Sequence, residues 1–548
     1  MSAIPPPFYY LDNFQRALDW IAQRYSDLLA DEELSFLHQF HALPQQSRAL
    51  LVRMVMRQGK LFRSTKLCYQ EIACTDLAAD PLIELGWITR NPSLTIEQLF
   101  GLLRKPEITN VFQLSTSDKL IKKNDLLEKL RPDFTESRTL AQWCTTLKEG
   151  IYEVNVTSLC ERLRLIYFGN LYQDWSEFVL SDLGIFQYEQ VEFSASSRGF
   201  GTRQDIDDYL HLHRCRERFD NGDSLDEIFI DIPKETYENS WLERRRNKLL
   251  FRIAQQYERC GELQSALNIY HNCAYFGARL RAIRVLEKSG EHSTAYTALE
   301  IALNNPESEA EYQSLLRMLP RLQRKQGLSR AIPNKVHTID EFTLPLSFPT
   351  LPISVEQAVQ LHLSSDQNPA FYVENALINS LFGLLCWPAI FAALPGAFFH
   401  PFHQGPADLH SPDFVQRRQT IFNACFSLLD NTSYQQTILA TFHAKFGIQS
   451  PFVFWGVLDE TLLKLALHCI PADHLKKYFE RILLDISTNR SGLPDLIQFW
   501  PQEKRYQMLE VKGPGDRLQD NQIRWINYCI DHALPVAVCY VQWLEEIA

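Results

Sequence analysis

No two of the 12 cysteines stand at C-x-x-C spacing, which excludes a zinc ribbon or a thioredoxin-like redox pair and fits a reducing compartment. There is no excess of positive charge either. Against 55 basic residues stand 66 acidic ones, a formal net charge of −11, so the chain does not coat nucleic acid or anionic membrane through bulk charge, while local basic surfaces stay open. The opening MSAIPPPFYYLDNFQ lacks the basic start, apolar core and small-residue cleavage site of a secretory signal, and a cytoplasmic protein is expected. Long apolar runs are missing with one exception: Asn375 to Phe399 contains no Asp, Glu, Lys or Arg. Asn379, Ser380, Pro388, Pro395 and Gly396 interrupt that run, so it reads as a buried helix followed by a turn, and no membrane partner is expected.

What is present is a chain of 548 residues, 45% hydrophobic and 22% charged, enough for a sizeable core. At roughly 100 to 200 residues per domain, three or four domains are expected. A small module, a fibrous repeat and a secreted disulfide scaffold are excluded.

The first part, to about residue 145, reads mainly as helices. In QSRALLVRMVMRQGKLFRSTKLCYQEI the apolar Leu50, Leu51, Met54, Val55, Leu61 and Phe62 suit a buried helical face that changes register near Gly59. Arg53, Arg57, Lys60, Arg63 and Lys66 lie beside it, as a solvated face or as contacts to backbone phosphate. In STSDKLIKKNDLLEKL, Ser115 or Thr116 can cap a helix, either of a packing module or of a unit resting on duplex DNA. Residues 146–240 carry further helical patterns.

Internal repetition follows over 241–345. YERCGELQSALNIY sets Gly261, Ala266 and Tyr270 where a tetratricopeptide-like hairpin needs a tight passage, a small packing residue and an aromatic plug, and LEKSGEHSTAYTAL repeats Gly290 and Ala295. From Gly261 to Gly290, as from Ala266 to Ala295, is 29 residues, which describes a degenerate helical solenoid suited to holding a partner or DNA. Arg244, Arg245, Arg246, Lys248 and Arg252 form one basic group and Arg279, Arg281 and Arg284 another, open both to phosphate contact and to intramolecular pairing. HTIDEFTLPLSFPTLPIS ends the solenoid as a boundary near 340 to 355, and a separate α/β domain occupies 346–548.

Chemistry concentrates in SGLPDLIQFW and MLEVKGPGDRLQDNQIRW. Leu496 to Trp500 and Tyr506 to Lys512 read as two strands joined by the turn-like PQEKR. Side chains alternate along a strand, which places Glu510 and Lys512 on one face and Val511 on the other. If the strands pair, Asp495 reaches the same end of the sheet, where two carboxylates offer hard oxygen ligands to Mg²⁺ or Mn²⁺ and the Val511 carbonyl can add a third. A helix from about Gln519 to His532 and a strand in PVAVCYVQW complete the core. Gln522 points either to the site or into a structural role, Lys504 and Arg505 are weaker phosphate contacts, and Glu374 is either a solubilising helix end or a further acidic ligand.

The P-D…E-V-K arrangement matches the PD-(D/E)XK nuclease pattern. With YVENALINSLFGLLCW, SGLPDLIQFW and EVKGPGDRLQDNQIRW, the C-terminal region resembles the VRR-NUC domain of the Fanconi-associated nuclease family. LVRMVMRQGKLFRSTKLCYQEI and FGNLYQDWSEFVLSDLGI extend the resemblance upstream over nearly the whole chain. It implies a multidomain protein: a winged-helix-like DNA-binding region within 1–145, a helical middle region, a tetratricopeptide-like solenoid and a restriction-endonuclease-like nuclease domain. It further implies Glu374, Asp495 and Glu510 as metal ligands, Val511 as the main-chain ligand and Lys512 as the essential lysine. The implied activity is metal-dependent endonucleolytic cutting of 5′ flaps and branched DNA, with 5′ to 3′ exonuclease action and a part in interstrand crosslink repair. The clustered Cys and His of a ubiquitin-binding zinc finger are absent, so a compact bacterial-type member is expected. A Holliday-junction resolvase, a less selective restriction-like nuclease and an inactive DNA-binding scaffold are the alternatives.

Overall fold

A computed structural model describes residues 6–115, 118–182, 184–193, 197–328, 338–349 and 352–544. The chain divides into two compact units. The first comprises residues 1–187, 193–206 and 398–402; the second comprises 188–192, 207–397 and 403–548.

The first unit opens with helices Tyr9–Tyr25, Asp31–Ala42 and Gln45–Val55, whose apolar faces meet around Phe14, Phe36, Phe40, Leu50 and Leu51. The helical reading of Leu61 and Phe62 is corrected here. The chain leaves the helix at Met56, turns through Gly59 at φ +92° and runs on as strand β1, Leu61–Arg63. With β2 (Ile88–Arg90) and β3 (Ile151–Val154) it forms an antiparallel sheet in the order β1-β3-β2, the wing beside the helices. The central strand therefore comes from beyond residue 145 and joins two three-residue strands that do not pair with each other. A satellite core of Leu94, Leu99, Phe100, Leu126, Leu140 and Trp143 holds four short helices between 96 and 143. Ser115 Oγ accepts from the Asp118 amide (3.3 Å), whereas the alternative cap Thr116 lies outside the described residues.

Helix Thr157–Phe168 ends at Gly169, φ +66°, and the far segment Phe398–Phe402 packs there. A Cβ on Gly169 would come within 2.2 Å of the Phe399 ring, so both the conformation and the space require glycine. Phe402 meets Phe178 edge-on (4.5 Å between centroids) and His400 lies over Tyr167 (5.9 Å).

In the second unit, the repeat reading takes shape as helices Ser240–Cys260, Leu263–His271, Ala278–Lys288, His292–Asn304 and Glu309–Lys325. Gly261 (φ +88°) and Gly290 (φ +86°) make the two tight passages, and Ala266 and Ala295 are fully buried where the helices cross.

Ahead of residue 346, where the sequence sets the start of the α/β domain, the chain already runs as a strand of that domain's sheet. Glu341–Ser347 forms β4, the edge of a five-stranded sheet ordered β4-β8-β7-β6-β5, where β5 is Ala370–Tyr372, β6 Leu496–Trp500, β7 Arg505–Lys512 and β8 Val536–Leu544. Pro345 is tolerated because β4 pairs on one side alone, parallel to β8. β8 and β7 are parallel, while β7, β6 and β5 are antiparallel in turn. One face of the sheet buries Leu496, Leu509, Val511, Ala537 and Cys539 against Val359 of helix Val355–Leu363. On the other, Tyr506 reaches Tyr478 of helix Ala472–Leu484, which in turn packs on Trp525 of helix Asp520–Asp531. The charge-free run supplies helix Leu377–Leu385, buried at all nine positions. Among the described residues no helix is long and apolar enough to cross a membrane.

Candidate active site

The strand pair falls where the sequence places it, with Leu496 opposite Leu509 and Trp500 opposite Arg505. One residue past that register, Asp495 faces Glu510, and its Oδ2 accepts from the Val511 amide at 2.9 Å. Glu510 and Lys512 share a face, as alternation requires, and Lys512 Nζ donates to Glu510 Oε1 at 2.7 Å. The Val511 side chain points into the opposite core.

These groups are withdrawn from water: Glu510 is 0% exposed, Asp495 7% and Lys512 7%. Burial pushes the Glu510 carboxyl up to about 8, with the Asp495 and Glu374 charges adding to the shift and Lys512 opposing it. Burial likewise pushes Asp495 up to about 6, against the Val511 amide and the Lys512 ammonium. Glu510 Oε2 is buried without a hydrogen-bond partner. An orphaned carboxylate oxygen beside a second raised carboxyl is the signature of a site short of positive charge.

Three contacts bring Glu374 to the same end of the sheet. The Val373 amide donates to the Asp495 carbonyl (2.8 Å), the Leu493 amide to Asn375 Oδ1 (3.1 Å), and Asn379 Nδ2 to the Arg490 carbonyl (2.9 Å). Asn375 takes a left-handed turn at φ +53°, and Glu374 is left exposed at the rim. Among the described residues no three His, Cys, Asp or Glu side chains converge tightly enough to form a ready-made cage. Asp495 and Glu510 make a buried half and Glu374 an outer one. The donor set, hard oxygens with one of them orphaned, fits a divalent cation.

Two neighbours were not legible in the sequence. Tyr372, at the end of β5, donates its hydroxyl to Glu374 Oε2, and Glu356, in the first turn of helix Val355–Leu363, adds a negative charge felt by Asp495. Neither belongs to a motif, and both arrive through strand pairing and helix packing.

Several basic candidates are spent on internal pairing. Arg53 binds Glu71 (2.6 Å) and Arg63 binds Glu107 (2.6 Å) and Glu149 (2.5 Å), while Arg57, Lys60 and Lys66 keep more exposed positions. Arg246 pairs with Glu243, Arg252 with Asp220, Arg279 with Glu311 and Arg281 with Glu258. Arg245 stacks on Tyr209 and Arg244 donates to Ser411 Oγ, and Lys248 is exposed. Arg505 lies 3.7 Å over the Trp500 ring with Glu503 beside it, next to Lys504 in a left-handed turn. Gln522 takes the structural role, its Oε1 accepting from the Gln519 amide at 2.8 Å to cap its own helix.

A mixed sheet that raises a buried carboxylate pair and a lysine on adjoining antiparallel strands, with helices on both faces, defines a restriction-endonuclease-like nuclease core of the divalent-metal-dependent class. The chain belongs to the Fanconi-associated nuclease family. Residues 8–89 match the family model of the FAN1 HTH domain, residues 93–143 that of the Fanconi anemia-associated nuclease SAP domain, and residues 429–543 that of the VRR-NUC domain. A Fanconi-associated nuclease 1 homologue of Pseudomonas aeruginosa is 55% identical over 541 residues, 99% of this chain and 97% of its own length. One from Schizosaccharomyces pombe is 23% identical, spanning 97% of this chain and 91% of that one. The crystal structure of paFAN1 bound to 2-nt 5′ flap DNA with a gap is similar at a TM-score of 0.96 and 55% identity, covering 99% of this chain and 100% of that chain. Its counterpart with a 1-nt flap gives 0.93. The chain is thus a nuclease, and its helices between 96 and 143 form a SAP module that sequence reading left open between packing and DNA contact.

Proposed function

We propose that this nuclease is a structure-selective DNA endonuclease that cuts 5′ flaps and branched DNA, proceeds 5′ to 3′ as an exonuclease, works in the cytoplasm and serves interstrand crosslink repair. The observation that carries the reading is the orphaned Glu510 oxygen between Asp495 and Lys512, in a chain whose 55%-identical structural neighbour is bound to flap DNA. Glu374, Asp495 and Glu510, with the Val511 carbonyl, would hold Mg²⁺ or Mn²⁺. The ion, when bound, polarises the phosphoryl oxygen and lowers the pKa of water.

The remaining work falls to the chain. Lys512 is fixed by Glu510 within the pocket, where its ammonium orients the attacking water and offsets charge growing on the phosphate. Water adds to phosphorus and its proton leaves to solvent or a phosphate oxygen. The P–O bond to the 3′ oxygen breaks, and that oxygen takes up a proton from solvent, leaving a 3′ hydroxyl and a 5′ phosphate. Asp495 is held at its post by the Val511 amide, so the strand pairing itself sets the spacing of the two buried carboxylates. The HTH and SAP modules and the solenoid would hold duplex arms.

A panel of labelled flap, gap, four-way junction and simple duplex DNAs, with Mg²⁺ or Mn²⁺ and cuts mapped to the nucleotide, tests the reading. Cleavage beside the 5′ flap, abolished in E510A and K512A, is the expected result. Preference for the four-way junction would replace flap cutting with junction resolution, and E510A that still cuts flaps at the normal rate would remove the site.

A further inference from the structure

The rim carboxylate is held more firmly than its exposure suggests. Glu374 Oε2 accepts from the Tyr372 hydroxyl at 2.5 Å, and Oε1 accepts from Asn375 Nδ2 at 3.3 Å. Tyr372 closes β5 directly opposite Leu496, the first residue after Asp495, so its backbone is fixed by the strand pair that carries the buried half of the site. Its neighbour Val373 donates to the Asp495 carbonyl at 2.8 Å. One short segment, 372–375, thus supplies the carboxylate, two donors to it and a main-chain tie to Asp495.

We propose that Tyr372 is a positioning residue: its hydroxyl fixes the Glu374 carboxylate in the orientation needed to receive a divalent cation, and makes no contact with the reacting phosphate itself. This rests on the reading of Glu374 as a metal ligand. An exposed glutamate in a turn otherwise samples many rotamers, and a ligand that must be ordered at the moment of binding binds more weakly. A phenol hydroxyl facing a carboxylate oxygen serves as the donor of the pair. A donor to a carboxylate oxygen leaves the remaining lone pairs available to a cation, as outer donors do at metal sites generally.

The test is calorimetric titration of Mn²⁺ into metal-free wild type, Y372F, E374Q and the double variant. Phenylalanine keeps the ring and its packing, and thermal melting checks that each variant is folded. Y372F is expected to weaken Mn²⁺ binding by roughly 10- to 100-fold. The substitution should cost nothing further in the E374Q background, since a residue acting through another loses its effect when that partner is gone. Cleavage by Y372F should recover towards wild type at saturating Mn²⁺, because the hydroxyl acts on ion capture. Unchanged Mn²⁺ affinity in Y372F, or an equal loss in both backgrounds, overturns the proposal. Unchanged affinity in E374Q alone overturns the ligand reading beneath it, and the positioning role with it.

Discussion

At the scale of single residues the site is governed by charge withdrawn from water. Glu510 combines zero exposure, an oxygen without a partner and a lysine on its other oxygen. Changing Glu510 to Gln or Lys512 to Ala is expected to slow flap cleavage at least about 100-fold while flap binding, measured by fluorescence anisotropy, changes little. The raised carboxyl also fixes a sign for stability. In the metal-free protein the folded state retains the Glu510 proton that the unfolded chain gives up at its ordinary 4.5, so stability falls as pH rises from there to about 8. Asp495, raised from 3.8 to about 6, contributes in the same direction over the lower part of that range. Chemical denaturation of metal-free protein from pH 5 to about 8 should show the decline, and E510Q should flatten it. Added Mn²⁺ should raise Tm most at the alkaline end, where both carboxylates are ionised for it.

At the scale of elements, the site depends on how loops enter and leave the central strands. Gly492, at φ +89°, opens the SGLPD loop, and a Cβ there would sit 2.7 Å from the Asn521 backbone carbon in the first turn of helix Asp520–Asp531. Replacing it with alanine is expected to cost about 1–3 kcal/mol in denaturant unfolding and to slow cleavage by shifting Asp495. In the solenoid, Arg279 bridges two repeats by pairing with Glu311, itself 2% exposed in the side chain. R279A should lose about 2 kcal/mol, since it strands a buried carboxylate. Legibility in the sequence follows the same physics. The pair Leu496–Trp500 and Arg505–Lys512 was readable because alternation and motif agree. The edge strand Glu341–Ser347 was not, because an edge admits Pro345 and polar residues and so looks like the boundary between two domains. The wing strands β1 and β2 were hidden by their length of three residues, and β1 by the continuity of apolar residues from Leu50 to Phe62. Tyr372 and Glu356 could not be read at all, since their closeness to Asp495 exists only after the sheet has formed.

At the scale of the molecule, a net charge of −11 coexists with a nuclease, because many of the 55 basic residues are consumed within the fold. Arg53, Arg63, Arg246 and Arg279 each face a carboxylate. Arg284 differs: it is exposed, and among the described residues no ion pair or hydrogen bond holds it. Arg281, Arg317 and Arg321 beside it each hold a carboxylate, which leaves the Arg284 guanidinium open to an external phosphate. R284A is expected to leave Tm unchanged and to reduce the slope of log affinity against log salt for flap DNA by about 1.

The five residues Phe398–Phe402 belong to the first unit although nearly two hundred residues of the second precede them. The chain therefore crosses between its units five times, at 187, 192, 206, 397 and 402. No single recombination crossover can transplant either unit whole. A gene fragment ending before residue 398 leaves Gly169 facing an empty slot where the Phe399 ring belongs, and one beginning near 346 carries an aromatic plug with nothing to receive it. Such a connectivity binds the two halves into one unit of inheritance, so that they must be gained, lost and exchanged together.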